Sequence, residues 1–530
     1  MSDPDVCSRR SAMVGLGAVA LGGTFLGGDP AGADTAGDGR DLADGVGDQA
    51  DVAAVSDLGS EYGTVVDVVE AGGDPTGRES VTPVLREHRG DDTLFRFPPG
   101  RYRMAEEFRQ TGFEHVGFVG EEATIVPADF HGFRGRPRCF QLGTHYDPGR
   151  GLRFEGIDFD FSGDETGVRA IQAQVAHDLL VREVTVHGEH DSGTWGPFLF
   201  DVTDPDGDGL VEGVEAPDGG AFSADCPGSI WTGPTGMLVT RFHEGHVRLR
   251  ECVLGPFPDN GLYARHGART TVLGGGYRNS NVASIRIGGD GSAVRGATVV
   301  VDDNRDLDEN QTGIRIDSGA DLVVEDTEVR IEAPNGPAVN VLNDVESATV
   351  RGCSVAVDDA VGRGIVVRGG AGRTVVADTD VRFDGGGNAV LLQPRADGGG
   401  PVVLEDVSVA GEAHGYAGRH AIRCERAGSA FRSVTVDQRG EGYRRCLELS
   451  GDDCLVRGGS YRSTHHPIVN AASGTRIEGL EHAEAANGRA ALRLLDGHAD
   501  VAVVDSVLYG GVRDDGTVDL ELSGNVTPLH

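Results

Sequence analysis

The chain contains no lysine. All 47 of its basic residues are arginine, set against 84 aspartates and glutamates, for a formal charge of −37 over 530 residues. No basic patch stands out in the sequence, which argues against nucleic acid as a partner. So acidic and lysine-free a composition is that expected of a high-salt, haloarchaeon-like background, in which the carboxylates would form a solvated coat. The same acidity weakens any single acidic cluster as a functional signal. Gly-x-Ser-x-Gly, a P-loop and zinc spacing are also missing, so nothing signals a serine hydrolase, a nucleotide site or a zinc site. Cysteine is sparse: apart from Cys7 there are seven, an odd number. Cys252, Cys353 and Cys424 fall where strand alternation turns them inward. They read as free buried thiols and not as a disulfide framework. Helical apolar stripes are absent too.

What the chain has instead is a repeat. Residues 320–371 say the same thing twice, and Val324 and Val350 are equivalent, 26 residues apart. Each copy carries a short apolar strand, a polar or glycine corner (Glu325-Asp326, Arg351-Gly352), a second alternating run and a third strand. Equivalents of Val350 run from Phe154 through Val181, Leu249, Val272, Val294, Val324, Val376, Leu404, Phe431, Val456 and Ile477 to Val504. A third-strand series runs from Leu262/Ala264 to Leu520/Leu522. A fixed period of about 26 residues marks a solenoid. Three strands per period predict an all-β, single-stranded right-handed parallel β-helix of about 13 coils, each buried only against its neighbours.

The ends differ from this pattern. Ser8-Arg9-Arg10-Ser11-Ala12-Met13 is a twin-arginine stretch. An apolar run to Leu26 and Ala31-Gly32-Ala33 as a cleavage signal follow. The run is too short to span a bilayer. Residues 1–33 are therefore expected to be a signal peptide and 34–57 a disordered acidic linker. The mature protein is expected outside the cell or on its surface, with no stable membrane span. Residues 58–110 predict a cap of strand, helix and strand, with Ser80 as N-cap and Pro83 in the first turn. The order strand, Gly-rich turn, helix, then Phe97-Pro98-Pro99-Gly100-x-Tyr102 resembles the opening of the pectate-lyase-like superfamily of β-helices. That resemblance implies a helix capping the solenoid from 111 to 530. It implies no single function, since the superfamily includes polysaccharide lyases, glycoside hydrolases, epimerases, tailspikes and adhesins.

One interval breaks the spacing. Val181 and Leu249 lie 68 residues apart, which predicts an insertion at about 188–245 holding both tryptophans, Trp195 and Trp231, as sugar-stacking platforms. Within it, Asp204, Asp206, Asp208, Leu210 (through its carbonyl), Glu212 and Glu215 match a Ca²⁺-binding loop, D-x-D-x-D-G-x5-E. Tyr263, Arg286 and Arg315 share one outward column. With Asn260, His266 and Asn281 they are expected to line a groove. Two functions remain open. A polysaccharide lyase or hydrolase would use Asp191 and Asp259 as acid or base, or Arg286 and Arg315. A non-catalytic glycan-binding surface protein would use the same face for contact only. Gly451-Asp452-Asp453-Cys454 reads as a turn, and His465-His466 as a surface loop.

Overall fold

The computed structural model describes residues 58–192, 195–228, 233–265, 267–333, 335–358, 362–416 and 418–528. The twin-arginine stretch, the cleavage signal, the linker, Trp231 and His266 lie outside them.

The chain winds into a parallel β-helix of about 16 turns with almost no helix. Three sheets run its length. The first carries the marker residues. Val324 pairs with Val350 and Val350 with Val376, and the column is continuous back to Phe154. The corner from the first to the second sheet takes one residue in the left-handed region, such as Asp326 (φ 50°) or Gly352 (φ 62°). Only glycine tolerates this freely, with asparagine and aspartate next, so the corner composition follows from the bend. The inward residues are apolar and buried throughout. The first coils are filled by phenylalanine, with Phe95 stacked on Phe118 at 5.1 Å, and later coils by valine and leucine. Each such side chain contributes about 1.5–3 kcal/mol by leaving water.

The repeat extends further than its sequence markers. Thr64–Asp67 pairs with Thr93–Phe97, which pairs with the long strand Glu114–Pro127, so the expected cap segment itself supplies rungs of the first sheet. The short helix Thr82–Glu87 between them buries Leu85 in the core. Val81 is its N-cap residue, while Ser80 Oγ accepts the Ala105 amide from outside the helix. At the far end Ile477 pairs with Val503, which is buried; the expected marker Val504 sits one residue out of register. Leu520 and Leu522 close the first sheet against Val501 and Val503 instead of continuing the third.

The interrupted interval is two coils, not one coil with an insertion. Val211 pairs with Val181 on one side and Leu249 on the other, dividing the 68 residues into steps of 30 and 38. Phe198–Val202 and Met237–Leu238 supply the matching third-sheet strands. The extra length falls between the strands, in residues 188–197 and 217–236 of the sequence. All seven cysteines among the described residues are free; Cys252, Cys353 and Cys424 are buried. No helix among the described residues is long and apolar enough to cross a membrane.

Candidate functional site

The third sheet carries the site on its outer face. Tyr263 pairs with Arg286, Arg286 with Arg315, and Arg315 with Asn340, so the expected column exists, one side chain per rung about 4.8 Å apart. At its centre is a residue the sequence reading passed over. Asp317, two positions after Arg315 and on the same face, takes Arg286 Nη2 at 2.7 Å, Arg315 Nε at 2.8 Å and Arg265 Nη1 at 3.4 Å. Burial opposes its ionisation, but these three cations outweigh that and hold its carboxyl below the usual range. Arg286 also lies over the Tyr263 ring, 4.9 Å from its centroid. The strand pattern Ile314-Arg315-Ile316-Asp317 was the signal available for Asp317.

Asp259 sits at the start of the same group, 4% exposed. Thr235 Oγ1 donates to its Oδ2 at 2.6 Å. Burial raises its carboxyl above the usual range, and neither Thr235 nor the nearby Arg286 and Arg315 cancels this. Tyr263 feels both carboxyls: burial raises its phenol, Arg286 and Arg265 pull it down, and Asp259 and Asp317 push it up. The face therefore holds two carboxyl groups shifted in opposite directions, Asp259 upward by burial and Asp317 downward by its arginines, around a shared Tyr–Arg pair. Beside it opens a cleft of about 630 Å³, lined by Glu244, His246, Arg265, Arg269, Asp290 and Ser318, so Arg265 belongs to both. Burial, then Arg269 and Arg248, push His246 down to about 4.

Other expected residues fall elsewhere. Asp191 accepts the amides of Glu165 (2.6 Å) and Gly167 (3.0 Å), and so fastens a loop. Asn281 donates to the Pro258 carbonyl and accepts the Glu309 amide, tying two loops while itself buried. Asn260 is fully buried beside Asp259. Trp195 is half-buried, and its carbonyl accepts the Thr235 amide, which places it one residue from the Asp259 contact.

The expected calcium loop is mostly strand. Asp204 and Asp206 lie in a turn, with Asp204 3.2 Å from His177. Asp208–Ala216 is extended. Asp208 and Glu212 lie about 13 Å apart along it at the usual rise. Each faces its own arginine, Arg248 at 2.9 Å and Arg250 at 3.2 Å. Glu215 lies past the Gly213 bend (φ 57°), in the second sheet with Val253. Leu210 is in mid-strand and its carbonyl has no route to a shared centre. These six residues do not fit a wrap-around Ca²⁺ site. Among the described residues no group of three or more His, Cys, Asp or Glu is placed to hold a metal ion.

No family model matches the chain, and no match was found among curated proteins. Solved structures do resemble it. The Agl-KA catalytic domain is 9% identical over 88% of this chain and 68% of that one, at a TM-score of 0.33. The catalytic unit of the GH87 alpha-1,3-glucanase of Streptomyces thermodiastaticus is 11% identical over 87% and 68%, at 0.29. PfbA, a surface adhesin of Streptococcus pneumoniae, is 9% identical over 82% and 90%, at 0.30.

Proposed function

We propose that this protein binds a polysaccharide along the outer face of its third sheet, at Tyr263, Arg265, Arg286 and Arg315, and that Asp259 and Asp317 act on the bound chain as acid and base. The observation that carries the reading is the convergence of three guanidinium groups from consecutive coils on Asp317. It fixes an array of donors before any ligand arrives, on a face that repeats in the direction a polymer runs. The aromatic ring of Tyr263 beneath Arg286 adds a surface for a sugar ring. The catalytic half rests on the two carboxyls. Environments that push paired carboxyls apart in proton affinity are how glycosidases divide acid from base. Asp259 is the donor and Asp317 the acceptor. The twin-arginine stretch supports a place of action outside the cell.

A panel of polysaccharides in high-salt buffer tests this, scored for both binding and product. Arg315→Met should lower affinity for the bound polymer roughly tenfold, or about 1.4 kcal/mol. Asp259→Asn should leave binding intact and remove turnover. Binding that survives Arg315→Met unchanged would sink the site. Binding without product in the unmodified protein would reduce the reading to its non-catalytic half.

A further inference from the structure

In a chain of charge −37, a second group of arginines outnumbers the acids paired with it. It lies farther along the same outer face, on the successive rungs His420–Cys424, Arg445–Leu449, Ile468–Asn470 and Leu492–Leu494. His465 and His466 stand there as well, buried at the start of a rung and not in a surface loop as expected.

Arg445 is the centre, half-buried, with no carboxylate ion pair among the described residues. Its Nη1 lies 3.2 Å from Nε2 of His420 and its Nε 3.3 Å from Nδ1 of His465. A guanidinium only donates, so both ring nitrogens must present lone pairs. The His420 proton is then on Nδ1, 2.8 Å from Glu448 Oε2, and the His465 proton is on Nε2. His466 donates its Nδ1–H to the Ala490 carbonyl at 2.7 Å, which leaves Nε2 a buried acceptor without a partner. Burial, then the charges of Arg445, Arg489 and Arg419, hold His465 down to about 4. Burial and the crowding of Arg419, Arg493 and Arg489 likewise lower Arg445. Glu448 is shared with His420 and Arg423, and Asp515 with Arg493 and Arg513. Among the described residues, Arg419, Arg445 and Arg489 have no carboxylate to themselves. At the edge, Tyr443 is 56% exposed with its ring edge-on to His465 at 5.0 Å, and Tyr416 is 74% exposed.

We propose that this cluster binds the oxyanion of an acidic sugar, a sulfate ester or a uronate carboxylate, with Arg419, Arg445 and Arg489 as donors and the Tyr443 ring as the surface for the sugar. Arginine forks suit either group, and both supply the charge that the protein withholds. Elsewhere the acidic surface repels polyanions, so attraction must be local. The site is separate from the one around Asp317 and stands without it.

The test uses the full chain and three immobilised polymers: dextran sulfate, polygalacturonate and neutral dextran. Binding to one or both acidic polymers above dextran is expected, and which of them binds tells ester from carboxylate. The double variant Arg419→Gln/Arg489→Gln changes two surface residues with no ion pair among the described residues, so it should fold. It should weaken that binding at least tenfold, while Arg382→Gln, an exposed arginine on the second sheet outside both sites, leaves it intact. Equal retention on dextran, or unchanged retention of the double variant, would overturn the proposal. So would loss through Arg315→Met alone, which places the anion at the other site.

Discussion

The two arginine clusters on the third sheet solve one electrostatic problem in opposite ways. Around Asp317, three guanidiniums close on a single buried carboxylate, and the charges are satisfied before a ligand comes. Around Arg445, the neighbours are imidazoles, which accept a hydrogen bond but return no charge. The first cluster is rigid and self-sufficient. The second is held at a cost in proton affinity that an incoming anion relieves. The contrast teaches that an arginine's partner tells more than its position in the repeat.

The contrast breaks most visibly at Asp317. Asp317→Asn leaves three cations facing one another in a site where the carboxylate is 8% exposed. Losing one partner of a buried charge group costs about 3–5 kcal/mol. A fall in melting temperature of several degrees is expected, and an unchanged melt would mean that the arginines are held by something else.

The next effect is one of pH. His190, His246 and His465 have folded values of about 3, 4 and 4 against an ordinary 6.5, burial being the largest cause in each. A lowered folded value means that the unfolded chain takes up the proton first. The stability contributed by the neutral rings is complete above pH 6.5 and is lost as pH falls toward 4. Thermal melts across that window should show the loss. A bound anionic polymer should soften the part that belongs to His465, and leave His246, beside the first cluster, unaffected.

A smaller effect separates the clusters by sign. Glu448→Gln removes one of the few acids near Arg445 and should strengthen binding of the acidic polymer by roughly threefold, or about 0.7 kcal/mol. The corresponding change at Asp317 weakens its cluster. Weaker binding after Glu448→Gln would show that His420, oriented by Glu448, matters more than net charge.

The solenoid was legible because its burial repeats: Val324, Val350 and Val376 stack as their spacing demands. Legibility failed where loop length hid a rung. Val211 lies between two long intervals without a marker, and the run of acids reads as a calcium loop by spacing although its Leu210, Val211 and Glu212 alternate as a strand does. The column Tyr263–Arg286–Arg315 was readable from alternation alone. Asp317 lay two residues further on the same face, but its role depends on Arg265 and Arg286 from other coils. The Arg445 cluster was invisible in sequence. Arg419, Arg445 and Arg489 are 26 and 44 residues apart, so the chain shows no basic run where the fold makes a basic patch.

The smallest expected effect concerns Asp208, and it separates strand from loop. In a Ca²⁺ loop the carboxylate at the fifth position is indispensable, and Asp208→Ala would abolish a calcium response of the tryptophans. In the strand, Asp208 is exposed and pairs with Arg248, itself 39% exposed at its side chain. Exposed pairs of this kind contribute about 0–1 kcal/mol. Asp208→Ala should therefore lower the melting temperature by little or nothing, with the far-ultraviolet spectrum unchanged. Calcium should leave the fluorescence of Trp195 and Trp231 as it was in both proteins. A calcium-dependent signal lost in Asp208→Ala would show that these acids can leave the strand and gather around an ion. The coil at Val211 would then be the one rung of the solenoid that trades its pairing for a ligand.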